Sequence, residues 1–122
     1  MRKVIILMAM ILLPIAIIVS CSKGDQVNNG GGGMNVDCNT VTNKDYAAHV
    51  NPIIQSFCNQ QDCHDVAGTN GPGPLTNYAQ VFSARFVIRD AIVSGAMPKN
   101  ATLTTAQKNS IICWIDSGAQ NN

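Results

Sequence analysis

The sequence predicts a small all-α domain, on three observations. Past position 37, apolar residues recur at helical spacing, as in Ile53, Ile54 and Phe57, or Ile111, Ile112 and Ile115. No segment there alternates apolar and polar residues over the length of a strand. Glycine and proline cut the apolar stretches into pieces the size of short helices.

The first helix is expected from 45–50 onward through Pro52, a residue suited to a first turn because such a turn leaves its N–H groups unpaired anyway. Ile53, Ile54 and Phe57 line one side of it, and it delivers the chain to Cys58. After His64, the run Gly68-Thr69-Asn70-Gly71-Pro72-Gly73-Pro74 excludes regular structure and predicts a loop. A short helix is expected over 77–83, presenting Tyr78, Val81 and Phe82. A separate one is expected around Phe86, Ile88, Ile92 and Val93, ended by Gly95. Thr104 or Thr105 then caps a final helix through about Ser117, with Ile111, Ile112, Trp114 and Ile115 as its apolar content and Gly118 as its stop.

The first third of the chain reads as targeting and tether. Arg2 and Lys3 precede an uncharged apolar run over 4–19, the length of a secretory h-region, which Ser20-Cys21 closes. Ile18-Val19-Ser20-Cys21 resembles the lipobox of bacterial lipoproteins. That resemblance implies that residues 1–20 are a cleaved signal peptide and that Cys21 is lipidated as the mature N-terminus. Two or more acyl chains suffice for stable membrane attachment where one does not. Residues 21–36, with Asn28, Asn29 and four glycines over 30–33, cannot bury enough apolar surface to fold and are expected to form a flexible tether. Residues 37–122 remain as the single folded domain. An uncleaved signal anchor, with Cys21 incidental, is the competing reading. The expected location is the bacterial cell envelope, lipid-anchored and facing the periplasm or the exterior.

Charge excludes some partners. The chain has eight lysines and arginines and seven acidic residues, all aspartate, for a net charge of +1. Loss of Arg2 and Lys3 would leave six basic side chains against the seven aspartates. Such a balance offers no basic face for nucleic acid and no acidic tail for cations.

Five cysteines in an exported chain leave one over unless some have other duties. The chemistry is densest at Cys58-Asn59-Gln60-Gln61-Asp62-Cys63-His64. Two thiols followed at once by an imidazole read as a c-type haem attachment site, because both sulfurs can bond the porphyrin edge while the adjacent histidine reaches the iron. The spacer has four residues where the usual motif has two. If Cys21 takes lipid, and Cys58 and Cys63 take haem, then Cys38 and Cys113 are left as a disulfide. The same count allows Cys58–Cys63 beside Cys38–Cys113 with no haem. A backbone carbonyl of the following loop, with Pro72 or Pro74 as its source, is expected to hold the second ring nitrogen of His64. Met97, followed by Pro98, is the candidate sixth ligand, a soft thioether in a loop after an apolar helix, with His49 the other possible ligand. Arg85 and Arg89 are candidate partners for the propionates, or simply solvated charges on a helix face. Six aromatic residues make a thin core for an independent domain, a deficit that a haem would help to fill.

Pro52-Ile53-Ile54, the Cys-x4-Cys-His motif, Gly73-Pro74-Leu75-x-x-Tyr78, Gly95-x-Met97-Pro98, the Thr104 cap and Trp114-Ile115-Asp116-x-Gly118-Ala119 follow one another in order. Together they resemble the small lipoprotein cytochrome c domains common in Bacteroidetes, which are similar to class I cytochromes c. The resemblance implies a helical domain around one covalent haem c, with His64 and Met97 on the iron. It also implies an electron carrier, not an enzyme, working with redox partner proteins of the cell envelope. Three rivals remain at this stage. One is a zinc site from His49, Cys58, Cys63 and His64. Another is a haem enzyme or sensor with an open sixth position. The third is a cofactor-free, disulfide-stapled lipoprotein acting as a binding module.

Overall fold

A computed structural model describes residues 34–122. The expected signal peptide, the lipidation site Cys21 and most of the tether lie outside these residues. Among those described, the regular structure is entirely helical, as the sequence predicts: a π-helical turn at Tyr46–Val50, then α1 (Asn51–Phe57), α2 (Tyr78–Val93) and α3 (Thr105–Asp116). None of these helices is long and apolar enough to cross a membrane.

The wide first turn arises where the amides of His49 and Val50 both reach the carbonyl of Asp45, each at 3.1 Å. It lies directly ahead of Pro52, which has no N–H to continue an α-helical ladder back to Ala48. Asn122 closes the start of this turn. Its side-chain oxygen accepts from the Tyr46 amide at 2.9 Å, and its backbone oxygen accepts from the Ala47 amide at 2.7 Å.

Where the sequence suggests two short helices, the structure forms one, α2. No glycine or proline separates Ser83 from Phe86, and the Ser83 hydroxyl satisfies itself within the helix by donating to the Ala79 carbonyl at 2.8 Å. Asn77 caps α2 by accepting from the Gln80 amide, while the Gln80 side chain accepts from the Thr76 amide and hydroxyl. The helix buries Val81, Ala84, Ile88 and Ile92. Phe86 falls between those positions on the outer side and is 60 % exposed, so it is not the core residue its chemistry suggests.

Helix α3 is central. Six consecutive residues, from Ser110 to Ile115, are buried, which requires neighbours on every side. Thr104 and Gln107 form a full capping box at its start, an arrangement worth about 1 kcal/mol. Gly118, at φ 99°, provides the left-handed turn that ends it. Trp114 packs on Tyr46 with ring centroids 5.2 Å apart, and Tyr78 meets Tyr46 edge-on at 5.0 Å. Both outer members of this cluster spend their polar atoms on the segment after α3. The Tyr78 hydroxyl donates to the Ala119 carbonyl at 2.9 Å, and the Trp114 indole N–H to the Gln120 carbonyl at 2.8 Å. Met34, ahead of the expected domain start, also packs against this core.

Cys38 and Cys113 form a disulfide with S–S 2.04 Å across a sequence separation of 75. A cross-link over that span removes loop entropy from the unfolded chain worth about 4 kcal/mol. Cys113 is itself fully buried, so the link joins the N-terminal segment to the middle of the core. Paired Cys38→Ala and Cys113→Ala substitutions are expected to lower unfolding stability by about 4 kcal/mol. Urea denaturation of the variant against the parent, with the slope m compared between them, is the measurement.

Candidate functional site

Cys58 ends α1, its amide still donating to the Ile54 carbonyl at 2.9 Å. The chain then doubles back on itself. The Cys58 carbonyl accepts from the Gln60 amide at 2.8 Å and again from the His64 amide at 3.2 Å. A turn bond from the Cys63 amide to the Gln60 carbonyl, 3.0 Å, completes the loop. Cys58, Cys63 and His64 therefore sit on one closed loop, bound at both ends by a single carbonyl.

The four-residue spacer is fastened by amide side chains. Gln60 donates to the carbonyls of Gln55 and Ser56, which the end of α1 would leave unpaired. Asn70 reaches across to donate to the Asp62 carbonyl at 2.7 Å, where Asp62 takes a left-handed φ of 61°. Gly68 lies so close behind Cys63 that a Cβ there would stand 2.6 Å from the Cys63 carbonyl oxygen. Reading the sequence by its motif passes over Gln60 and Asn70. The available signal was the run Asn59-Gln60-Gln61-Asp62, four hydrogen-bonding side chains in a row.

His64 is buried, 6 % exposed, and its Nδ1 lies 3.0 Å from the Gly73 carbonyl. A carbonyl only accepts, so Nδ1 is the donor, and in the neutral ring the lone pair is on Nε2. Among the described residues Nε2 has no hydrogen-bond partner. The orienting group is a loop carbonyl, as expected, but it belongs to Gly73 and not to Pro72 or Pro74. Gly73 takes φ 96°, a conformation closed to proline, and this turns its oxygen toward the imidazole. The loop closes with the Leu75 amide donating to the His64 carbonyl at 2.8 Å. A cleft of about 440 Å³ runs beside the Gly73 segment, between Pro72 and Pro74 on one side and Ala84 and Val87 of α2 on the other.

Cys58 and Cys63 are free thiols, so the expected alternative of a Cys58–Cys63 disulfide is not formed. Burial, and after it the neighbouring Cys63, push the Cys58 thiol up to about 11. Met97 is partly buried in the turn after α2, with its amide donating to the Ala91 carbonyl at 3.1 Å. The rival zinc set of His49, Cys58, Cys63 and His64 is not gathered: no three or more histidine, cysteine or acidic side chains converge as a metal site among the described residues. His49 lies instead beside Asp45, at 3.8 Å. The two arginines are also engaged elsewhere. Arg89 makes a bidentate pair with Asp116 at 2.7 and 2.9 Å, and Arg85 lies over the rings of Phe82 and Phe86 at 4.0 and 4.3 Å. No family model, no curated protein and no solved structure matches this chain.

The site thus combines two free thiols with an imidazole held in a fixed orientation. Two measurements test this geometry. Gly68→Ala is expected to displace the Cys63 carbonyl and to cost about 1–3 kcal/mol in urea unfolding, as overpacking does. In protein with free thiols, a Cys63→Ala background isolates Cys58. Alkylation by iodoacetamide at pH 8 should then run slower in the folded chain than in the unfolded one, by up to about a hundredfold since burial is the larger cause of the shift, and the gap should narrow as pH rises toward 11.

Proposed function

We propose that this protein is a lipid-anchored c-type cytochrome that passes single electrons between redox partners of the bacterial cell envelope. One observation carries the reading: an imidazole directly follows two free thiols, with Nδ1 engaged by a carbonyl and Nε2 without a hydrogen-bond partner among the described residues. Nε2 is not one of the side-chain atoms that burial leaves unpaired, so it opens at the surface, where an incoming group can reach it. The remaining described cysteines, Cys38 and Cys113, are consumed in their own disulfide, in keeping with an oxidising compartment.

In this reading the residues fit a covalent haem c. Cys58 and Cys63 would hold the porphyrin through thioethers, and His64 would ligate the iron through Nε2. When bound, the haem supplies a one-electron couple at an iron held in the protein. The Gly73 carbonyl orients the ring and raises its basicity. Met97 is proposed as the other side chain that would hold the iron, its thioether raising the potential and closing the metal to small molecules. The resemblance to lipoprotein cytochrome c domains belongs to this proposal, as do the signal peptide over 1–20 and the acylation of Cys21.

The cofactor-free binding module remains the second reading, and the exposed apolar Val66, Phe86 and Val87 favour it. Expression in a host with active cytochrome maturation separates the two. The expected product is red, gains the mass of one haem, and shows a sharp alpha band on reduction. His64→Ala should abolish the reduced low-spin spectrum, and Met97→Ala should lower the reduction potential in redox titration. A colourless protein of unchanged mass would refute the electron-carrier reading.

A further inference from the structure

Within the haem-binding reading, one side chain outside the motif is placed to govern the imidazole. Gln55 lies on α1, one turn before Cys58, and is partly buried. Its amide makes three hydrogen bonds to three different parts of the site. Nε2 donates to Asn51 Oδ1 at 3.1 Å and to the Leu75 carbonyl at 3.2 Å, while Oε1 accepts from Asn59 Nδ2 at 2.6 Å. Leu75 follows closely on Gly73, and its amide donates to the His64 carbonyl. Asn51 is tied in turn to the aromatic core, accepting from the Tyr46 hydroxyl at 3.4 Å.

The other amides of the site reach less far. Gln60 bonds only α1 carbonyls, and Asn70 bonds only Asp62. Gln55 alone, among the described residues, joins the rigid helix both to the start of the spacer and to the segment whose carbonyl holds the ring. Its amide is saturated except for one lone pair of Oε1, which is more than a solvated helix surface requires.

We propose that Gln55 is a positioning residue of this site: by bolting the Gly73–Leu75 segment to α1, it fixes the direction in which His64 presents Nε2. The proposal rests on the haem reading, and it predicts an effect on the ligand beyond any effect on stability. If the segment loosens, the Gly73 carbonyl bonds Nδ1 less well, the imidazole becomes a weaker base, and the oxidised iron is less favoured.

The test uses the full haem-loaded chain. Gln55→Leu removes all three bonds. Gln55→Asn keeps a neutral amide but is one methylene too short to reach the Leu75 carbonyl, and it carries the test should Gln55→Leu fail to accumulate. Both are expected to raise the reduction potential, and the Leu75 amide should exchange with solvent about tenfold faster. Gln60→Ala is the control, expected to lower stability and leave the potential in place. Red wild type with an unmoved potential in the Gln55 variants would overturn this proposal alone, as would an equal shift in Gln60→Ala. Colourless wild type would overturn the haem reading and this proposal together.

Discussion

The hydrogen bond from His64 Nδ1 to the Gly73 carbonyl, 3.0 Å, constrains far more of the molecule than one ring. For it to form, the chain must leave α1, enclose the spacer, pass through Asn70 to Pro74 and come back alongside its own beginning. The return is secured by two backbone bonds, from the His64 amide to Cys58 and from the Leu75 amide to His64. The start of α2 follows from that return, because Leu75 is buried and Thr76 and Asn77 immediately cap the helix. The long loop therefore acts as a structural element in its own right, although it contains no regular structure.

The rest of the fold answers a shortage of apolar material. With six aromatic residues in the chain, core cohesion is concentrated in the cluster of Tyr46, Tyr78 and Trp114. Each of these rings also spends a polar atom or backbone amide on fixing a neighbour, so packing and hydrogen bonding reinforce the same three positions. The disulfide adds a term that owes nothing to buried area, since it acts on the unfolded chain. A domain of this size without such a link would sit close to the limit of independent folding.

Much of this was legible in the sequence because it rests on local chemistry or on the count of cysteines. The Thr104 cap, the Gly118 stop and the Cys38–Cys113 pair follow from capping preferences, left-handed turns and cysteine arithmetic. The division of α2 into two helices failed because no breaker separates its halves, and a change in apolar density alone does not end a helix. Phe86 failed for a related reason: its hydrophobicity says that it can be buried, while its phase on α2 places it outside. In the candidate site, the need for a loop carbonyl against His64 was readable, and its source was not. That choice depends on φ at Gly73, a torsion that tertiary closure selects from what glycine permits. Arg89 was hidden as well, because its partner Asp116 lies on another helix 27 residues away.

The cross-link at Cys38 has a mechanical side. Tension arriving along the backbone from the N-terminal direction meets a covalent junction before it reaches the first helical turn, and Cys113 passes the load straight into the buried middle of α3. The span between the two half-cystines, which includes the candidate site, is thereby shielded from the force. A pull on the segment ahead of Cys38 would have to extract α3 as a whole before it could peel the loop that carries Cys58, Cys63 and His64.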